Sequence, residues 1–172
     1  MEELNVFDLF GQAEKLYNGV ESISDGKTSG ENYYQEKMRY IKNFKKVILL
    51  CLHGAARKFE KNLVNEQEVL NNLAEIMMET YMSESLVLRT EKREGLKGNI
   101  AVYRDIVDVN VYDTADKIRK SANDAIYSFA SSEIAPKLIK AIDILTKVAG
   151  VNVKEARRHI ADKLIEDNQY KF

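Results

Sequence analysis

The chain is poor both in residues that interrupt helices and in residues that do chemistry. Its 172 residues include one proline, eight glycines, one cysteine, two histidines and no tryptophan. A single cysteine excludes an intrachain disulfide. Cys51 lies in the apolar run VILLCLHG, where it reads as a small buried hydrophobe, and this usage suits a reducing compartment. Basic residues number 26 and acidic residues 27, so the chain lacks the positive excess that carries nucleic-acid binding. The opening MEELNVFDLF is acidic where a secretory leader would be basic and then apolar. No apolar run approaches the ~18 residues of a membrane span. These absences make the chain read as cytoplasmic and place nucleic acid outside its expected partners.

What remains is helix-forming sequence, long enough for one substantial core. Asn5 to Tyr17 can form a short helix, and SISDGKTSGEN, Ser22 to Asn32, reads as a flexible connector. Residues 1–32 are therefore taken as a leading helix and connector, and residues 33–172 as the main bundle. From Tyr33 to Lys61, Ile41, Phe44, Ile48, Cys51, Leu52, Ala55 and Phe59 fall on one side at 100° per residue. Arg39, Lys42, Lys46, Arg57 and Lys61 fall roughly opposite, as a basic outer face.

Asn65 followed by Glu68 has capping-box spacing and predicts a helix from about Glu66 to Lys92. Leu70, Leu73, Met77, Tyr81 and Leu88 form its expected apolar stripe, with Glu68, Glu75 and Glu79 on the other side. Glu36 to Lys61 carries eight basic and two acidic residues, and Val64 to Leu88 five acidic and none basic. The two helices are expected to pair antiparallel. REGLKGN, Arg93 to Asn99, breaks the pattern, and Ile100 to Phe129 reads as the next helix through Tyr103, Val107, Val111, Ile118, Ala122, Ala125 and Phe129. Ile106 to Tyr112 alternates like a half-buried strand, a rival reading. Pro136 suits the first turn of a helix from Ala135 to Ala149, stopped by Gly150. Asn152 with Glu155 caps a last helix, Val153 to about Asp167. The expected fold is all-α, an antiparallel bundle of about five helices preceded by a short N-terminal helix and connector.

No catalytic, cofactor-binding or metal-binding residue emerges from this pattern. His53 and His159 lack further ligands at zinc spacing, apart from Cys51 beside His53. Asp105 with Asp108, and Glu75 with Glu79, lie one turn apart, yet no Glu-x-x-His accompanies them, so both pairs read as solvated acidic faces. EGLKGN lacks the Lys-Ser/Thr of a phosphate loop and reads as an interhelical turn. Met77, Met78 and Met82 read as core filling. The basic face of the first long helix reads as solvated, with peripheral contact to an anionic membrane through Arg39, Lys42 and Lys46 as the alternative.

The stretch KKVILLCLHGAARKFEKNLVNEQEVLNNLAEIMMETYMSESLVLRTEK resembles the C-terminal extension of the very-long-chain acyl-CoA dehydrogenase family. The resemblance rests on the Lys-rich turn Lys58 to Lys61, on LVNEQ at Leu63 to Gln67, on Leu70, Leu73, Ala74 and Tyr81, and on Arg89 in the following turn. ADKIRKSANDAI, Ala115 to Ile126, is similar to that family's next helix, so the likeness spans about Lys45 to Ile126. The resemblance implies a support, assembly or interaction domain of a fatty-acid β-oxidation flavoprotein. FAD and the catalytic glutamate, in an aromatic-Glu-Gly-Thr segment, would lie in a separate catalytic region of the parent, which is also the implied partner beside a possible homo-oligomer. The other reading is a free-standing helical adaptor whose partner binds the Met-rich or the basic surface.

Overall fold

The computed structural model describes residues 6–94 and 100–168 of the chain. It contains six α-helices and, among the described residues, no strand: α1 (Val6–Asn18), α2 (Tyr33–Phe59), α3 (Gln67–Glu94), α4 (Ile100–Phe129), α5 (Ala135–Leu145) and α6 (Val153–Asp167). Short 3₁₀ turns at Val20–Ser22 and Glu60–Asn65 connect α1 to the body and α2 to α3. The all-α expectation holds. The strand rival at Ile106 to Tyr112 does not, because the segment lies inside α4, whose 3.6-residue period buries Val107, Val111, Thr114 and Ile118 in turn.

α2, α3 and α4 run up, down and up, and α3 is antiparallel to both neighbours. Side-chain pairs set this direction: Lys45 of α2 meets Glu84 of α3 at 2.6 Å, and Glu79 and Glu94 of α3 meet Lys117 and Arg104 of α4 at 2.5 and 2.6 Å. α5 turns back along α4. α6 lies antiparallel on the outer side of α4, where Arg157 reaches Asp113 at 2.8 Å and Ala156 is its one buried residue. The core gathers Ile41, Phe44, Val47 and Leu50 of α2, Ile76 and Val87 of α3, Ile118 and Ile126 of α4, and Leu138, Ile142 and Leu145 of α5. Where α2 meets α4, Gly54 stands against the Phe129 side chain. A Cβ added at Gly54 would stand 2.2 Å from Cε2 of the Phe129 ring, so glycine at 54 is what admits that ring.

Three boundaries or faces differ from the sequence reading. Asn65 does not cap α3. It closes the 3₁₀ turn Glu60–Asn65, and the first α-helical bond of α3 runs from the Leu70 N–H to the carbonyl of Glu66. The loop's own i to i+3 bonds shift the helix start one residue on. α5 ends at Leu145, not Ala149, because the Thr146 hydroxyl donates back to the Ile142 carbonyl at 2.8 Å and Arg119 Nε donates to the Thr146 hydroxyl at 3.1 Å. The apolar stripe of α3 is rotated: Val69, Leu73, Ile76, Val87 and also Glu79, Thr80, Ser83 and Thr90 face inward, while Met77, Tyr81 and Leu88 face out.

Two caps that start helices are present. Asn32 Oδ1 accepts the Gln35 N–H at 2.9 Å, and Gln35 Oε1 accepts the Asn32 N–H at 3.0 Å, a complete capping box that opens α2. Asn152 Oδ1 accepts the Glu155 N–H at 3.3 Å and opens α6, as its spacing indicates. The Ser- and Gly-rich connector before Asn32 is bonded to α2: the Asp25 carbonyl accepts from Asn43 Nδ2 at 2.8 Å, and Glu31 pairs with Arg39 at 2.9 Å.

Asn32→Ala is expected to lower stability by about 0.5–2 kcal/mol, because it removes the acceptor of the Gln35 N–H, while the backbone N–H at 32 keeps its bond to Gln35 Oε1. Asn65→Ala should leave the denaturation midpoint unchanged, and urea titrations of the two variants check the contrast. Gly54→Ala is expected to cost about 1–3 kcal/mol by overpacking against Phe129. Combining it with Phe129→Leu should recover part of that loss, read from the same titrations as non-additivity.

Candidate functional site

Four buried polar residues, Lys37, Glu79, Ser83 and Thr114, join one helix to another. At one end of the bundle, the Tyr33 hydroxyl donates to Asp108 Oδ1 at 2.9 Å and Lys37 Nζ reaches the same oxygen at 2.8 Å. The Tyr34 hydroxyl donates to Glu94, which also holds Arg104. The Arg104 guanidinium stacks over the Tyr33 ring at 4.8 Å, and Lys37 sits 5.0 Å from the same ring centre. Burial is the main cause that raises both tyrosine hydroxyls, aided by the carboxylates they donate to, and Tyr34 is pushed up to about 12.

A second cluster lies mid-way along the seam between α3 and α4. Glu79, 4% exposed, accepts from the Thr114 hydroxyl at 2.9 Å and from Lys117 at 2.5 Å. The Ser83 hydroxyl adds bonds to Asn110 at 2.8 Å and Thr114 at 3.2 Å. Every polar atom named in this seam has a partner, as a low-dielectric interior requires.

The residues singled out by sequence are therefore dispersed. Glu79 does not share a solvated face with Glu75, because it is the buried acceptor of the α3–α4 seam. Asp105 and Asp108 divide between helices: Asp108 serves α2, while Asp105 meets Nδ1 of His159 on α6 at 2.5 Å. His53 packs against the Tyr17 ring at 5.2 Å, with Nε2 buried and unpartnered, and burial followed by the nearby Arg57 lowers its pKa. Cys51 is fully buried, and burial pushes its thiol up to about 12, which makes it an inert core residue. Among the described residues, no three His, Cys, Asp or Glu side chains are placed to hold a metal ion. EGLKGN lies outside the described residues beyond Glu94.

The basic outer face of α2 is broken by the structure. Arg39 is 8% exposed, paired with Glu31 and stacked over the Tyr40 ring, so it cannot meet a membrane alongside exposed Lys42 and half-buried Lys46. The connector covers it, and periodicity on α2 alone carries no sign of that cover. Nor do Met77, Met78 and Met82 fill the core: they are 39%, 54% and 49% exposed, with Tyr81 at 71% beside them. Buried polar residues on the opposite side of α3 take the inward positions.

A cleft of about 530 Å³ lies where the turn after α1, the end of α2 and the α4–α5 corner meet. Gly54 and Phe129 floor it, Arg57, Lys58 and Lys137 rim it, and Lys137 is held by Glu21 at 2.8 Å. No buried nucleophile with a positioned base faces this space. Its cations lie where they also offset the negative end of α2.

The described residues form an all-α domain knitted internally by polar seams, with five of its exposed large apolar side chains on α3. Residues 43–143 match the family described as acyl-CoA dehydrogenase, C-terminal domain, and the chain belongs to that family. It is similar to a probable acyl-CoA dehydrogenase of Bacillus subtilis (strain 168), 26% identical over 164 residues that make up 94% of this chain and 27% of the relative. It is also similar to a crystal structure of an acyl-CoA dehydrogenase complexed with FAD from Bacillus anthracis, with a TM-score of 0.86 and 27% identity over 96% of this chain and 28% of that one. The chain thus spans about a quarter of the length of these relatives.

The raised tyrosines give a pH dependence of definite sign. A hydroxyl whose folded pKa lies above its unfolded value contributes stability below the unfolded value and loses it as pH rises through the folded one. Stability is therefore expected to fall between about pH 10 and about pH 12. The double variant Tyr33→Phe/Tyr34→Phe should show a shallower fall across that window, measured by urea midpoints at stepped pH.

Proposed function

We propose that the chain serves as the C-terminal helical support domain of a flavin-dependent acyl-CoA dehydrogenase, in which a separate catalytic region oxidises acyl-CoA thioesters at the α and β carbons. The observation that carries this reading is coverage: nearly the whole chain aligns with about a quarter of each relative. The LVNEQ turn, Leu63 to Gln67, supports placing the parent in the very-long-chain branch that works in β-oxidation. The part of the chain is mechanical: it presents a rigid six-helix body to the rest of the enzyme.

The residues present do not fit the flavin. Among the described residues, the buried polar side-chain atoms left without a partner are His53 Nε2, Arg104 Nε and Asn123 Oδ1, and none of these residues lines the 530 Å³ cleft or the 450 Å³ cleft beside the connector. An isoalloxazine needs convergent donors on a flat slot, and the clefts offer dispersed side chains instead. No step of the reaction is therefore routed through this chain. The exposed methionines of α3 favour the second reading, a free-standing interaction module.

The purified chain is expected to unfold in one cooperative transition, to carry no flavin absorbance, and to leave an electron-accepting dye unreduced when acyl-CoA is added. Stoichiometric bound flavin would overturn the support-domain reading. A dehydrogenase catalytic region encoded in frame with the chain would decide against the free-standing module.

A further inference from the structure

α3 carries on its outer side an apolar face that none of the described residues covers. Met77, Met78, Tyr81, Met82 and Leu88 are 39%, 54%, 71%, 49% and 48% exposed. They fall within a 140° arc of the helix and span twelve residues, about 16 Å at 1.5 Å rise per residue. Large side chains of roughly 200 Å², about half exposed, leave on the order of 500 Å² of apolar surface. That is at the upper end of what a monomer shows.

We propose that this face is a homotypic interface, on which a second copy of the chain seats its own α3 antiparallel about a two-fold axis near Met82. Three observations select this occupant. Two copies of a ~500 Å² face bury about 1,000 Å² in all, the lower bound for a specific interface. The charges at the two ends of the face are opposite and equidistant from Met82: half-buried Glu75 lies seven residues before it and exposed Arg89 seven residues after. Helical arithmetic puts both on the Met82 edge of the face, so a perpendicular two-fold axis brings Glu75 of each copy to Arg89 of the other. The same operation sets Met77 against Leu88 and gives Met78 the space above Ser85, with Tyr81 and Met82 near the axis. Anionic lipid is the wrong occupant, because Val64 to Leu88 carries five acidic residues and no basic one.

The interface belongs to this chain alone, so its test is independent of the support-domain reading. Sedimentation equilibrium of the 172-residue chain over a concentration series is expected to show a reversible monomer–dimer equilibrium. Tyr81→Glu, at a position too exposed to unfold the domain, should abolish the dimer while the helical circular dichroism stays unchanged. Glu75→Arg and Arg89→Glu should each weaken dimerisation by about tenfold or more, because every pair occurs twice across a two-fold axis. The double reversal should restore it. A chain that is monomeric at every concentration would show that the face serves another partner and would overturn the proposal. A dimer insensitive to Tyr81→Glu, or a double reversal that fails to restore binding, would also overturn it.

Discussion

α4 touches α2, α3, α5 and α6, and several of its polar side chains pair with whichever helix they face. Asp108 answers Lys37 and Tyr33 of α2, Thr114 and Lys117 answer Glu79 of α3, Arg119 answers Thr146 after α5, and Asp105 and Asp113 answer His159 and Arg157 of α6. Removing a charge from water is costly unless the interior returns both a counter-charge and hydrogen bonds. These pairs do so, and in doing so they set which helix lies where. Hydrophobic contact would tolerate a turn of slippage along the seam, whereas a carboxylate already bonded to Thr114 and Lys117 does not.

The same constraint explains the inside-out character of α3. One side of the helix includes Glu79, Thr80 and Ser83, which the seam with α4 and the helix's own carbonyls satisfy. Its methionines are left outside. A Met surface is soft and adaptable, which suits a docking face more than a core that must specify one register. The domain thus separates the two jobs along one helix: polar groups inside hold the bundle, apolar groups outside remain for a partner.

That division fits a chain whose titratable groups are spent on architecture. Cys51 is buried as a hydrophobe, Asp108 and Glu79 are tied to lysines, and His159 links α6 to α4. Membership of the acyl-CoA dehydrogenase C-terminal domain family accounts for such a body, since it makes up about a quarter of the relatives it matches. The cation-rimmed cleft above Gly54 belongs to the packing of α2 against Phe129 and not to a constellation of reacting groups.

Some of this was legible one residue at a time. The absence of proline from all but one position, the 3.6-residue period, and the Asn152–Glu155 cap are local properties, and they specified an all-α chain with α4 and α6 in their observed places. The LVNEQ segment carried the family resemblance even though Asn65 does not cap, because a motif can persist in sequence while a 3₁₀ turn displaces the helix start. Which side of each helix faces inward was not legible wherever polar residues are buried. Period arithmetic assigns Glu79 and Arg39 to water and Met77 and Tyr81 to the core. The assembled bundle reverses all four, because Lys117, Thr114 and Glu31 lie 38, 35 and 8 residues away in sequence and only the fold brings them within bonding distance. A charge is stable inside only where its partner already stands, and that condition is set by tertiary structure alone.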